Sequence, residues 1–579
     1  MNLPKKLLAL FLIFLLGTGI GYVSNYSLSE NARFEDFTEE LFRSEVSGST
    51  LTLHYSLAYP DKHKITRTEP SLGTLDSSPE KEIQLCQDYE KKLKNFSYSR
   101  LSQENQLTLD MLLLYFHTRA SLGNNYLLEE VLGPSLGIQA QLPILLAEYA
   151  FYSESDISDY LKLLGTVRPY FQSILDFEKK KSQAGCFMSD TTLDRVLKQC
   201  NDFIQNPDSN YMQEIFEQKL KSWGRLEQSE QEKLFACHQK LLKEEVIPAY
   251  QELTDGLQKL RGTGKSSRGL TYFPGGKEYY LYLLQSQTGS YVSVSQLQKR
   301  LTTQLLSDSM EMRTLLKHNP SLLTCVSSIS DLPKLSPEEM LKKLSSLMEK
   351  DFPSLPDTSW EIRSVHDSMK NFLSPAFYLT PPIDTQSPNI IYINQSPSTG
   401  NLELFGTLAH EGFPGHLYQT VSFARSKPSD IRYLITSSGY VEGWATYVES
   451  YAYSYAASLI NVENASDATR LAWLNRSASL CIYSLIDVGI HYQGWTQEQT
   501  AAFLKSFGIT SASTVSEIYQ YIVETPGNYL KYYWGYLNFL DLKTACQKKE
   551  AEDFNLREFH RRILEIGPVP FPVLEKYLL

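Results

Sequence analysis

Apolar residues recur at intervals of three and four along most of the first half of the chain, from about Glu30 to Leu260. Two clear examples are LTLDMLLLYFHTRASL and SEQEKLFACHQKLLKEEVIPAYQEL. This spacing places the apolar side chains on one face of a helix, so each segment must bury that face against a neighbour. One segment, NIIYINQ at 389–395, is typical of a strand. The chain is therefore predicted to be mostly α-helical, with a small β-sheet near its middle.

Two stretches of loop composition interrupt the helical pattern, YPDKHKITRTEPSLGTLDSSPEKE and RGTGKSSRGLTYFPGGKEYY. The second is rich in Gly, Ser and Lys, a composition that indicates a boundary between lobes. The chain has 579 residues, of which 42% are hydrophobic and 21% charged, so it can build two ordinary globular cores. We predict an N-terminal helical lobe over residues 28–265 and a second lobe over 266–579.

The N-terminus has the layout of an export signal. Lys5 and Lys6 precede an uncharged apolar run over 7–23, which is 17 residues long. That length is the lower limit for crossing a bilayer. No Ala-x-Ala cleavage site follows, and neither does a cysteine that could carry a lipid. Residues 1–27 are predicted to be a signal peptide or a membrane anchor, with the uncleaved anchor favoured, and the rest of the chain is predicted to lie outside the cytoplasm.

Charge and cysteine content exclude some classes of function. The 55 Lys and Arg residues are outnumbered by 66 Asp and Glu, which gives a net charge of −11, and no long basic run occurs. Nucleic acid is therefore not an expected partner. The seven cysteines form no C-x-x-C pair, so neither a thiolate metal site nor a disulfide framework is indicated, although a pair between Cys186 and Cys200 stays open.

The segment TLAHEGFPGHLYQT contains an altered zinc motif. In H-E-x-x-H, two histidines four residues apart share a helix face, and the glutamate between them points at the metal's water. Here Pro414 stands four residues after His410, and the next histidine is His416. Proline disfavours a continuous helix, so His416 reaches a metal only if GFPG breaks the helix. We predict that break, with Glu411 as general base; the alternative is an ordinary pair of surface residues.

A third ligand is predicted in GYVEGWATYVESYAYSYA. Glu442 and Glu449 are seven residues apart and share one face of the predicted helix. Glu442 is flanked by Gly443 and Trp444 in an otherwise apolar and aromatic segment, where a metal ligand is more natural than a solvated charge. Glu449 would then orient a ligating histidine from outside the ligand set, as such carboxylates do; alternatively, it is a solvated helix charge.

Two later segments add candidates. LIDVGIHYQGWTQEQT places Asp487 and His491 one helical turn apart, so that the carboxylate could hold the imidazole; a purely structural histidine is the alternative. ETPGNYLKYYWGY offers Tyr529, Tyr532 and Tyr533, any of which could donate a hydrogen bond to an oxyanion. Taken alone, the tyrosines are equally consistent with packing.

Together these segments resemble a known family. HEGFPGH, EGWATYVE, DVGIHYQGWTQEQ, TPGNYLKYYWG and the closing FNLREFHRRILEIGPVPFPVLEKYL resemble the bacterial proteins grouped as domain of unknown function 885, as do PPIDTQSPNIIYIN and GGKEYYLYLL. That family is similar to the zincin peptidases of the thimet oligopeptidase, carboxypeptidase Taq and angiotensin-converting enzyme type. The resemblance implies a zincin-like fold of two lobes with a deep cleft between them, and it extends over most of the chain after about residue 270.

The resemblance also implies a role for each matching residue. Zinc would be held by His410, His416 and Glu442, with Glu411 taking a proton from water whose pKa the metal lowers toward about 7. The oxyanion would be stabilised by His491 and Tyr532. Glu449 and Asp487 would lie outside the set of zinc ligands and hydrogen-bond to the functional histidines.

Three departures from the family pattern bear on function. Leu417 stands where a second histidine is usual, Asn528 stands where glutamine is usual, and an arginine expected near Tyr483 is absent. The prediction is an exported zinc metallopeptidase of bacterial type that cleaves short peptides. Two alternatives remain: a non-catalytic zincin-like surface protein that binds peptides or cell-wall fragments, and a zinc amidase that acts on non-peptide bonds. The sequence predicts no oligomeric state.

Overall fold

The computed structural model describes residues 29–75, 79–322, 335–354, 358–365, 370, 375–394, 400–461 and 463–579. Most of these residues are helical, as the apolar spacing predicts, and the mostly α class is confirmed. The predicted anchor over 1–27 lies outside the described residues. None of the helices that were described combines the length and the apolar character needed to cross a membrane.

Short helices succeed one another through the first half, and α10 continues into α11 through a π-helical turn at Leu242–Val246. Their bounds are α1 (29–46), α2 (Thr50–Ser56), α3 (Pro79–Lys94), α4 (Gln103–Ala120), α5 (Ile138–Glu148), α6 (Glu154–Leu164), α7 (Val167–Ala184), α8 (Asp190–Ile204), α9 (Tyr211–Trp223), α10 (Gln228–Leu241) and α11 (Ile247–Gln258).

The second half has longer helices, and α19 continues into a π-helical turn at Gly489–Gln493. The bounds are α12 (Gly276–Thr288), α13 (Val294–His318), α14 (Pro337–Leu347), α15 (Asn401–Glu411), α16 (His416–Arg425), α17 (Ile431–Leu434), α18 (Ser438–Ala456), α19 (Ala465–Val488), α20 (Gln497–Lys505), α21 (Ala512–Glu524), α22 (Asn528–Glu550), α23 (Leu556–Ile566) and α24 (Phe571–Leu578).

Buried side chains form two large cores. One contains side chains from both 34–128 and 270–578. The other contains Leu72 and side chains from 132–257. The first four helices thus share a core with the C-terminal half, while α5 to α11 build their own. The predicted lobe boundary after residue 265 stays a prediction. Cys186 and Cys200 are both free thiols, so the disulfide that the sequence left open is not formed.

A three-stranded sheet lies just before α15. Its strands are β1 (Trp360–Ser364), β2 (Ala376–Leu379) and β3 (Asn389–Ile393), in the order β1-β3-β2. The middle strand β3 is parallel to β1 and antiparallel to β2. The sequence predicts β3 alone, because its run of buried apolar residues is the clearest strand signal. The two flanking strands are short and only partly buried, so they show no such run.

The two faces of the sheet pack against different parts of the molecule. Ile391 belongs to the core that contains α14 and α15, and Tyr378 packs against the same core. Ile390 and Tyr392, which alternate with Ile391 along β3, join a small separate cluster with Ile144 of α5. This alternation is the ordinary period of two along a strand. The sheet therefore separates the α15 side from the α5 side.

The helices α18 and α22 cross at very short range. A Cβ atom on Gly443 would lie 2.5 Å from backbone atoms of Gly535, so only glycine allows this approach. The crossing brings the start of α22 beside the part of α18 that carries Glu442. Helix α15 also packs against α18. Three helices thus converge on one group of side chains.

Candidate metal centre

The metal motif is split between two helices. Helix α15 ends at Glu411 and α16 begins at His416, so the predicted break is confirmed. Gly415 makes the turn possible, because a Cβ atom there would lie 1.8 Å from the carbonyl oxygen of His410. The indole of Trp444 donates to the Pro414 carbonyl at 2.9 Å and ties the turn to α18.

The break brings the two motif histidines together. The ring centroids of His410 and His416 are 4.7 Å apart, with the planes at 89°. Glu442 Oε2 lies 3.4 Å from Nε2 of His410 and 3.5 Å from Nε2 of His416. One ligand atom each from His410, Glu411 and His416 also lies within 4.8 Å of the others. The structure therefore gathers two imidazoles and two carboxylates at one point.

The spacing of His410, His416 and Glu442 fits co-ligands of one ion better than hydrogen-bonded neighbours. Two ligands of a tetrahedral zinc ion at about 2.0–2.1 Å lie about 3.3–3.4 Å from each other. The carboxylate-to-imidazole separations of 3.4 and 3.5 Å match that value. Charge-assisted hydrogen bonds between such groups are shorter, at about 2.7–2.9 Å. Two histidines and one glutamate are also a known ligand set of catalytic zinc.

The Nδ1 nitrogen of His410, unlike Nε2, is at hydrogen-bond distance from a carboxylate. It donates to Glu449 Oε1 at 2.7 Å, a short charge-assisted bond. The second oxygen of Glu449 lies 3.3 Å from Nε of Arg476 on α19. This partner fixes the ring orientation and leaves Nε2 as the nitrogen that faces Glu442. The seven-residue step in α18 thus brings Glu442 and Glu449 to opposite nitrogens of one imidazole.

Electrostatics favour a cation at this point. Burial disfavours a charged His410, but the Glu442 and Glu449 carboxylates outweigh it and raise its pKa to about 10. Burial also opposes ionisation of Glu442, yet the two imidazoles hold the pKa of that carboxyl well below its usual range. A group of carboxylates that stabilises a proton on Nε2 would equally stabilise a metal ion that replaces the proton.

Glu411 is placed beside the ligands and is held by the sheet. The backbone N–H of Tyr378 on β2 donates to Glu411 Oε2 at 2.9 Å, and one carboxylate oxygen of Glu411 lies within 4.8 Å of a ring nitrogen of each histidine. Burial raises the pKa of Glu411, opposed by the imidazoles of His416 and His410. A raised pKa suits a carboxylate that has to accept and return a proton near neutral pH.

The start of α22 brings Tyr532 to the same cluster. Its ring centroid is 6.1 Å from that of His410, and burial raises its pKa, so the hydroxyl remains a donor. Tyr529 instead packs against Tyr483, with ring centroids 4.8 Å apart. Tyr533 is buried and hydrogen-bonds with Ser477. Of the three tyrosines that the sequence offered, Tyr532 is the one beside the histidines.

Asp487 and His491 are held by different partners, and the predicted hydrogen bond between them is not formed. His491 lies in the π-helical turn, where Nδ1 accepts from the Leu270 N–H at 3.2 Å and Nε2 donates to the Ile522 carbonyl at 2.8 Å. Burial lowers its pKa to about 4, so the ring is neutral. No hydrogen bond or ring contact among the described residues joins His491 to the His410 cluster, and its catalytic role stays a prediction.

Asp487 gives the fold a testable pH dependence. Its oxygens accept from Tyr280 at 2.5 Å and from the Gly527 N–H at 2.8 Å, and burial raises its pKa to about 7. The unfolded carboxyl titrates at about 3.9, so between the two values the native state binds more protons. The free energy of unfolding then falls as pH rises through this window, by up to about 1.4 kcal/mol per unit.

We therefore expect Asp487→Asn to remove this dependence, since an amide can accept from Gly527 and donate to Tyr280 without titrating. Between pH 5 and pH 7.5, the free energy of unfolding of the variant should rise by about 2–3 kcal/mol relative to that of wild type, as measured by denaturant unfolding. The control is Asp467→Asn, which changes an exposed residue on the same helix. Parallel pH profiles for wild type and Asp487→Asn would contradict the assignment.

Two charged residues at the centre were missed by reading the sequence. Lys531 Nζ lies 3.8 Å from Glu442 Oε1 and also sits over the Tyr532 ring. Arg476 contacts Glu449, as described above. Lys531 carries a signal that was overlooked, because it is a lone charge in an aromatic segment, the same feature that identified Glu442. Arg476 carries none, since it lies in a mixed helical stretch.

The fold and centre thus define a mostly helical protein with a His-His-Glu cluster whose members lie on α15, α16 and α18. The chain belongs to the family of bacterial proteins of unknown function known as DUF885, whose model matches residues 72–578. Among curated proteins, none matches this chain.

Solved structures show the same fold. One is the crystal structure of "the putative lipoprotein from Colwellia psychrerythraea", with a TM-score of 0.81 at 18% identity, over 95% of this chain and 98% of that one. Another is described as "a putative lipoprotein of unknown function from Shewanella oneidensis", with a TM-score of 0.59 at 17% identity, over 93% and 98%. At this level of identity, the likeness concerns the fold alone.

Proposed function

We propose that the chain is a zinc-dependent hydrolase that cleaves short peptides. The observation that carries the proposal is the spacing around Glu442 Oε2, which is 3.4 and 3.5 Å from Nε2 of His410 and His416. The likeness to zincin peptidases drawn from the sequence supports the same ligand set.

Each residue of the cluster has a separate role in the proposed hydrolysis. Zinc would be held by His410, His416 and Glu442, and when bound it acts as a Lewis acid that makes water acidic and polarises a carbonyl. Glu411 takes the proton from the attacking water and passes it to the leaving amine. The Tyr532 hydroxyl donates to the carbonyl oxygen as negative charge develops there.

Peptides are the favoured substrate because a strand edge lies beside the general base. In the described sheet β2 is an edge strand, and its Tyr378 N–H points at Glu411 rather than at β3. Because the Tyr378 N–H is engaged by Glu411, an extended peptide would pair with other backbone groups of this edge, which places a scissile bond next to the general base. A non-peptide amide lacks the repeating donors and acceptors for this pairing.

We also propose that the protein acts outside the cytoplasm. The apolar run over 7–23 supports this, and two proteins of the same fold carry the description "putative lipoprotein". The first cysteine of this chain is Cys86, far beyond the run, so the run itself rather than a lipid would form the anchor.

Metal content and hydrolysis test the proposal together. The purified full chain should carry one zinc ion and should cleave a panel of short peptides, with activity lost to 1,10-phenanthroline and restored by added zinc. Cleavage of non-peptide amides in preference to peptides would support the amidase instead. Zinc and peptide binding without turnover would indicate a non-catalytic binder. Purified protein that binds no zinc would exclude the metallohydrolase.

A further inference from the structure

A cavity lies on the other face of the sheet from the metal centre. Its volume is about 590 Å³, within the range of about 300–1,000 Å³ typical of small-molecule sites. Phe377 and Leu379 of β2 line it, whereas the Tyr378 ring between them packs against the core that contains α15. Phe151 and Trp223 line it as well. The cavity therefore has a largely apolar wall and is separated from Glu411 by the thickness of the sheet.

Lys219, whose ammonium form is stabilised by the nearby charge of Glu148, lines this cavity. Lys219 on α9 donates to the Ala147 carbonyl at 3.0 Å, and its amine lies over the rings of Phe151 and Tyr160 at 4.7 and 5.4 Å. No ion pair joins it to a carboxylate in the part of the chain that the structure describes. The ammonium has three donors, so it has donors left for an anion. Burial lowers its pKa to about 7, which an anionic ligand would reverse.

A carboxylate that forms no direct ion pair with a described residue lines the same cavity. Glu148, the last residue of α5, accepts a short hydrogen bond from the Tyr392 hydroxyl. It forms no ion pair with any described residue. The nearby imidazole of His54 adds no charge, because burial lowers its pKa to about 3. The cavity therefore presents Lys219 and Glu148, neither of which forms a direct ion pair with a described residue, beside an apolar wall. The Arg363 guanidinium also lines the cavity, but it is paired with Glu361.

We propose that this cavity binds a short peptide of about two residues that has free ends and an apolar side chain. The carboxylate of the ligand pairs with Lys219, its amine pairs with Glu148, and its side chain packs on Phe377. A zwitterion satisfies both charges at once, which neither a simple anion nor a simple cation does. This site does not depend on the proposed function, although short peptides with free ends are what a peptidase releases.

The simpler role of Lys219 makes a different prediction. The Ala147 carbonyl is among the last four of α5, which lack partners within the helix, so Lys219 could serve only as a helix cap. In that case Lys219→Met would lower the free energy of unfolding. Its effect on peptide affinity would be the same whether the peptide termini are free or capped. Capped peptides therefore separate the two roles.

The test is calorimetric binding of the dipeptide Leu-Phe to the full chain, in a Glu411→Gln background that prevents cleavage. We expect Lys219→Met to weaken Leu-Phe and N-acetyl-Leu-Phe at least 10-fold while leaving Leu-Phe amide unaffected. Glu148→Gln should show the reverse pattern, weakening Leu-Phe and its amide but not the acetylated form. The matched control is Lys221→Met, which changes an exposed residue of α9 paired with Glu217.

Peptide that binds at the His410 cluster adds the same heat to the titrations of Lys219→Met and Lys221→Met. Its contribution therefore cancels when the two variants are compared. Thermal midpoints confirm that each variant folds. If Lys219→Met does not fold, the Glu148→Gln measurements still test the proposal. Absence of Leu-Phe binding, or equal affinities in the Lys219 and Lys221 variants, would overturn the proposal. Loss of activity at the metal centre would not affect this result, so the two proposals fail independently.

Discussion

Replacing Glu411 with glutamine is expected to leave zinc bound and to lower peptide hydrolysis by about 10²–10⁴-fold, the usual contribution of a general base. Glutamine keeps the shape of the side chain and can still accept from the Tyr378 N–H, but it cannot take a proton from water. The proposed ligand atoms on His410, His416 and Glu442 are unchanged. Zinc content by mass spectrometry and kcat for a fluorogenic peptide measure the two effects separately.

The matched control is Glu403→Gln. Glu403 is exposed and lies two turns before Glu411 on α15. This variant makes the same chemical change on the same helix, and its activity and zinc content should equal those of wild type. If Glu411→Gln lost zinc together with activity, Glu411 would be a ligand rather than the base. The close approach of His410, Glu411 and His416 makes that outcome a real alternative.

Replacing Gly415 with alanine is expected to weaken zinc binding by more than about 100-fold, beyond the usual effect of losing an outer partner of a ligand. The new Cβ atom would overlap the His410 carbonyl oxygen, at 1.8 Å in the present geometry. The turn must open to relieve this contact, and His416, the next residue, must move with it. A chelator competition assay measures the affinity, and circular dichroism shows whether the helices persist.

Gly133→Ala serves as the control for glycine replacement. A Cβ atom there would meet its nearest neighbour at 3.7 Å, an ordinary contact, and the backbone has no positive φ. This variant should bind zinc like wild type. If Gly415→Ala also bound zinc with full affinity, the turn would not set the position of His416, and the ligand set would need revision.

The sequence predicted the helical class and the break in the metal motif for local reasons. Spacing of apolar residues sets helix faces, and Pro414 excludes a continuous helix whatever the surroundings are. The strand at β3 was equally visible, because a short run rich in Ile and Tyr lies there between two stretches of loop composition. The flanking strands β1 and β2 were not visible, since they are strands only through their pairing with β3.

Long-range partners were beyond the reach of sequence patterns. The spacing of Asp487 and His491 predicted a local pair, yet each found partners more than 30 residues away, Asp487 at Tyr280 and Gly527, and His491 at Leu270 and Ile522. Both groups are buried, and a buried polar atom takes whichever partner the packing supplies. Helical spacing shows that two residues can meet, not that they do.

The sequence by itself determined the identity of the candidate ligands and the need for a turn between His410 and His416, because these follow from side-chain chemistry and backbone sterics. Only the tertiary structure decided that Glu442 faces both imidazoles, that Glu449, itself in contact with Arg476, binds Nδ1 of His410, and that a cavity with charged side chains lies across the sheet. Those facts depend on how α15, α18 and α22 pack, and packing is set by the whole core rather than by any one segment.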